Sequence, residues 1–143
     1  MPRPLLDEIH DHLTQHYPDE AAGLLFGVER AGEREAAELF RAENVFQESA
    51  RGHRYQISPQ RMMEAEDEAD SRGLSVIGVF HSHPDHPPLP SEFDQAMALP
   101  WFVYLITSVQ NGIAGRSRAW RLDDERGRFS EVVFEVQPQE EHS

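Results

Sequence analysis

The sequence predicts a single α/β domain, a mixed sheet with helices on its faces. Two stretches carry apolar residues at helical spacing, and several short apolar runs have the length of strands. No internal repeat or linker divides the 143 residues, a length that suits one domain.

Leu5, Leu6, Ile9, Leu13 and Tyr17 recur at spacings of three and four, which is one face of an amphipathic helix, and Pro18 stops it. Gly23 to Val28 is an apolar run bounded by glycine and reads as a buried strand with Glu20 at its entry. Glu33 to Phe46, more polar, reads as strands with a turn between, and Tyr55 to Ile57 as another short strand. Ser58 at the cap and Pro59 at the first helical position open a second helix, in which Met62, Ala65 and Ala69 share a face until Gly73 ends it. Met62 and Met63 are expected in the core. Leu74 to Phe80 is almost wholly apolar, as a central strand buried on both faces is, and it leads into His81-Ser82-His83. Prolines 84, 87, 88 and 90 stiffen the next loop, and Ser91 opens a short helix that Pro100 closes. Trp101 to Val109 reads as a strand, and Ile113 to Leu122 with Phe129 to Val136 as a closing hairpin around residues 123–127. The domain is expected over residues 1–136, with a polar tail over 137–143.

Composition removes several chemistries. There is no cysteine, hence no thiol nucleophile, disulfide, thiolate zinc site or iron–sulfur cluster. All thirteen basic residues are arginine, so a Schiff-base or phosphate-loop lysine is excluded too. A formal charge of −13 with scattered arginines argues against nucleic acid as a partner. No stretch has the apolar length of a membrane span or signal peptide. The expectation is a soluble cytoplasmic protein acting on a polar or protein substrate. The acid excess with arginine in place of lysine also resembles adaptation to a salty cytoplasm.

The densest signal is His81-Ser82-His83, seven residues, then Ser91-Glu92-Phe93-Asp94. Alternate side chains of an extended chain share a face, so His81 and His83 project together from a strand end. Two imidazoles and a carboxylate suit a catalytic zinc site, with three protein ligands and an open position. Asp94, in the first turn of a helix behind the proline loop, is the candidate third ligand. Each feature also has a plainer account. Ser91-x-x-Asp94 is a capping box, the histidines suit a polar loop, and Glu20 suits a solvated turn. His86 is expected to be exposed loop. His12 and His16 have metal-pair spacing but enclose Leu13-Thr14-Gln15, without the zincin glutamate, so a wet helix face accounts for them.

Taken together, Glu20, Gly23 to Gly27, Gly78 to Pro84 and Ser91 to Asp94 resemble the JAMM motif of the MPN+ (JAB1/MPN/Mov34) metalloproteases. That pattern is a distal Glu, His-x-His, seven residues, Ser, two residues, Asp, and every spacing after the Glu is met. The resemblance spans about Leu5 to Trp120 and is to the small stand-alone prokaryotic members. It implies a cytidine-deaminase-like MPN fold with one zinc ion per chain on His81, His83 and Asp94. It further implies catalytic roles for Glu20, as the base that takes and returns the proton, and for Ser91, as an oxyanion donor. The implied reaction is hydrolysis of a peptide-type bond in a protein or peptide substrate, at the C-terminus of a ubiquitin-like or sulfur-carrier protein. A non-catalytic MPN scaffold is the competing reading, against which the complete residue set counts. Nucleobase deamination is disfavoured because its zinc site needs cysteine.

Overall fold

The computed structural model describes residues 1–47, 50–52, 54–123 and 127–138. In chain order the elements are α1 (Arg3–Gln15), β1 (Ala22–Arg30), β2 (Glu33–Ala42), α2 (Pro59–Ser71), β3 (Ser75–Pro84), α3 (Glu92–Met97), β4 (Val103–Gln110), β5 (Ile113–Leu122) and β6 (Phe129–Val132). The strands form one mixed sheet in the order β2-β1-β3-β4-β5-β6. Only the β3–β4 pairing is parallel, and a parallel pair needs a crossover. Here the connection carries α3, so the proline loop and α3 lie at the end of β3 where the two histidines stand.

Strand alternation divides the apolar residues between two faces. Leu25, Phe80, Leu105 and Ala119 pack with Leu5, Leu6, Ile9 and Leu13 of α1. Leu24, Phe26, Val79 and Tyr104 pack with Ala65 and Ala69 of α2. His81 and His83 continue the face of Val79, two and four residues on. The sheet is tight at its centre. A Cβ on Gly23 would lie 2.2 Å from the Phe80 ring and 2.7 Å from the Phe40 carbonyl oxygen, so only glycine lets β1 lie against the strand that carries the histidines.

Five expectations are corrected. One strand, β2, occupies residues 33–42, and the described residues from 43 to 58 hold no strand. Tyr55 to Ile57 form no ladder, because Gln56 accepts a single backbone bond from Val45 N at 2.9 Å while its own amide donates to the Asn44 side chain. β3 runs on through the His-x-His to Pro84, the parallel β4 supplying partners as far as Val109. β6 stops at Val132. Met63 is 66% exposed, and of the two only Met62 packs against the core, because α2 turns a narrow face of Ala65 and Ala69 to the sheet and Met63 lies off it. The hairpin loop at 124–126 and tail residues 139–143 lie outside the described residues. Gln137 pairs with the chain start, donating to Met1 O and accepting from Arg3 N. Among the described residues, no helix is long and apolar enough to cross a membrane.

Candidate metal centre

Glu20, His81, His83 and Asp94 come from three separate places in the chain, the turn before β1, the end of β3 and the start of α3, and are all buried. One nitrogen or oxygen of each lies within 4.8 Å of those of the other three. Glu20 ends the turn before β1, and the pairing of Ala22 with His81 brings it beside the first histidine. Ser82 locks this register. Its Oγ accepts from Ala21 N at 2.9 Å, and its own amide donates to Ala21 O at 3.0 Å. The residue between the two histidines thus ties β3 to the neighbour of Glu20.

Both imidazoles have their Nδ1 edge occupied by an oxygen acceptor. Glu20 Oε1 accepts from His81 Nδ1 at 3.3 Å, and the Pro87 carbonyl accepts from His83 Nδ1 at 3.0 Å. A carbonyl can only accept, so His83 Nδ1 carries a proton, and His81 takes the same tautomer when its Nδ1 donates to Glu20. Each ring therefore presents Nε2 to the centre, the arrangement that second-shell oxygen acceptors impose on metal-binding histidines. The His81 ring is also stacked on Tyr55, with centroids 4.4 Å apart and planes at 29°.

Asp94 completes the set through its helix cap. Ser91 and Asp94 form a full capping box: Ser91 Oγ accepts from Asp94 N at 3.0 Å, and Asp94 Oδ2 accepts from Ser91 N at 2.9 Å. The cap and the ligand position are one structure, since Asp94 Oδ2 also lies 2.9 Å from His83 Nε2 and Oδ1 lies 3.8 Å from His81 Nε2. Burial works against charge on Asp94, yet the His81 and His83 rings and the Ser91 amide hold its carboxyl down to about 2. Burial likewise opposes charge on His83, and the Asp94 contact outweighs it to raise that imidazole. With Nδ1 already donating to Pro87, the Nε2 contact to Asp94 is a hydrogen bond only when the ring is protonated.

These residues fit a metal ion. His81 Nε2 is a buried polar atom with no hydrogen-bond partner among the described residues, and such orphans demand an explanation. Two imidazole nitrogens and a carboxylate meeting around it form a borderline-soft donor set that suits zinc. A cation held by these residues would give the His81 Nε2 atom its missing partner.

The structure separates the remaining candidates. Ser91 is exposed at the cap beside Asp94 and is not one of the four converging residues. His86 is exposed and meets the protein through its backbone carbonyl, which accepts from Ser108 Oγ. His12 is not on a wet helix face. It is 5% exposed, bonds the Ala22 carbonyl through Nε2 at 2.9 Å and packs on Phe80; only His16 of that pair is exposed. Trp120 is half-buried and donates to the Pro88 carbonyl, bracing the proline loop. Sequence reasoning missed Tyr55, the Pro87 carbonyl and Asn44. The Asn44 amide group donates to the Glu20 and Arg54 carbonyls at 2.8 and 3.0 Å, and its oxygen accepts from the Phe46 and Gln56 amides at 3.0 Å each. Asparagine just past a strand end was the only sequence signal for this clasp.

Comparison with known proteins agrees with the site. The model of the prokaryotic homologs of the JAB domain matches residues 2–123. A desampylase of Pyrococcus furiosus is 34% identical over 84 residues, 58% of this chain and 56% of that protein. A probable TtuB-protein conjugate cleaving protease of Thermus thermophilus is 34% identical over 94 residues, 66% of this chain and 59% of that protein. The chain thus spans less than two thirds of these curated relatives. The crystal structure of a JAB1/MPN domain protein from Archaeoglobus fulgidus superposes with a TM-score of 0.60 at 20% identity, covering 95% of this chain and 93% of that one, a likeness of fold.

Proposed function

The chain belongs to the prokaryotic homologs of the JAB domain, and from that premise we propose that it is a zinc-dependent peptidase or isopeptidase of the JAMM type. Its substrate is a protein conjugate or extension at the C-terminus of a ubiquitin-like or sulfur-carrier protein. The observation that carries this reading is the buried meeting of Glu20, His81, His83 and Asp94 around an unpartnered His81 Nε2. Two relatives named for removing or cleaving protein conjugates support the substrate class. The cysteine-free composition suits the cytoplasm, where we place it.

In this reading His81, His83 and Asp94 hold one zinc ion. When bound, zinc supplies Lewis-acid activation of water and of the scissile carbonyl. Glu20 holds one oxygen on His81 Nδ1, and its other oxygen accepts no hydrogen bond among the described residues. That carboxylate takes a proton from the attacking water and delivers it to the departing amine nitrogen as the carbon–nitrogen bond breaks. Ser91 Oγ accepts from Asp94 N, which leaves its hydroxyl hydrogen to donate to the oxyanion. A flexible Gly-Gly tail suits the approach, because glycine lets a substrate backbone come close.

Elemental analysis of wild type, His83→Ala and Glu20→Gln tests the assignment. About one zinc per chain is expected in wild type and Glu20→Gln and loss in His83→Ala, with cleavage of ubiquitin-like conjugates by wild type alone. Wild-type protein without stoichiometric metal, even after zinc is added back, overturns the hydrolase reading and leaves a scaffold.

A further inference from the structure

Beside the centre lies a cation that the reaction does not use. The Arg54 guanidinium carbon sits 5.9 Å from the Phe46 ring centroid and 5.2 Å from that of Phe93, and the two rings meet edge to face at 5.5 Å. The shelf is tied to the centre on both sides. Tyr55, the next residue, stacks on His81, and Phe93 immediately precedes Asp94. The Arg54 backbone is fixed as well, since its carbonyl accepts from the Asn44 side chain.

Among the described residues no carboxylate lies against this guanidinium, although the chain has twice as many acids as bases. Arg3, Arg61, Arg72 and Arg118 each pair with a carboxylate of this protein. Arg61 and Arg118 also lie over an aromatic ring, Phe40 and Trp120, but Arg54 lies over two rings and against no carboxylate of the described residues. Such stacking orients the guanidinium plane and leaves its N–H edge free for the in-plane, two-point grip that suits a carboxylate. A net charge of −13 repels acidic partners in general, so a bare arginine here selects where on a substrate an acid is tolerated.

We propose that Arg54, shelved on Phe46 and Phe93, is a specificity-determining residue that binds an acidic side chain of the substrate close to the bond that is cut. This rests on the hydrolase reading and names a chemical feature of its substrate.

The test uses the zinc-loaded full chain and internally quenched peptides with Gly-Gly before the scissile bond. Asp, Asn or Arg is placed in turn at the third residue before that bond or the second after it. For one of the two positions, wild type is expected to prefer Asp to Asn by about fivefold, the scale of an exposed ion pair. The preference should lie in KM and shrink between 50 mM and 500 mM salt, about 14 Å and 4 Å of screening length. Arg54→Glu should reverse it toward the Arg peptide. Anisotropy binding of the same labelled peptides to Glu20→Gln should give the same Asp-over-Asn order in Kd without turnover. Equal treatment of Asp and Asn at both positions, or an order unchanged in Arg54→Glu, overturns the role of Arg54 while cleavage leaves the hydrolase reading standing. Neither cleavage nor binding of any peptide overturns both.

Discussion

Ser91 shows how one residue carries two duties. Its oxygen caps α3 and its amide holds Asp94 Oδ2, so the helix start and the Asp94 carboxylate are fixed together. Ser91→Ala is expected to cost about 1 kcal/mol as a lost cap and to lower turnover more than zinc content. Ser91→Asn, a comparable cap, should restore the melting temperature without the turnover; melts, zinc analysis and rates on one preparation check this. His81, His83 and Asp94 were legible in the sequence because a strand end and a helix cap bring them together through local geometry, over a span of fourteen residues. Tyr55 was not, since stacking on His81 across 26 positions leaves no local trace. Nor was the Pro87 carbonyl, a backbone group that any residue type supplies.

At the level of elements, the helices and central strands followed from apolar periodicity, and the misreadings fell where side chains replace a ladder. The clasp by Asn44 ties Phe46, Arg54 and Gln56 together without a ladder, and nothing in residue period announces that. The wet-face reading of α1 failed because His12, which interrupts the apolar stripe, is used as core. Burial pushes the His10 and His12 imidazoles below their usual 6.5, against the Ala22 carbonyl that holds His12. A folded value below the unfolded one means the unfolded chain binds protons first. Stability is then full above pH 6.5 and is lost as pH falls through 6.5 toward the folded values, by at most about 1.4 kcal/mol per pH unit for each histidine. Melts at pH 7.5 and 5.5 should show wild type weakening on acidification, and His12→Gln should weaken less steeply over the same interval.

For the whole molecule, the charge of −13 sets one more expectation. Arg3–Asp7 and Arg61–Glu64 are exposed pairs within single helices and contribute a few tenths of a kcal/mol at most. Screening therefore removes more repulsion than attraction, and the melting temperature should rise between low and molar salt; a flat or falling trend would refute the salty-cytoplasm reading. The two apolar layers and the contacts that orient His81 and His83 are built from the chain alone: a glutamate, a proline carbonyl, a tyrosine ring and a helix cap. Many small zinc domains remain unfolded until their ion arrives; here the rings are oriented by protein contacts, so chelation is expected to abolish cleavage while leaving the far-ultraviolet circular dichroism unchanged. Should the proposed zinc site and that chelation result both hold, such a protein would persist through metal starvation as an intact reserve, the supply of the ion setting how many copies work rather than how many survive.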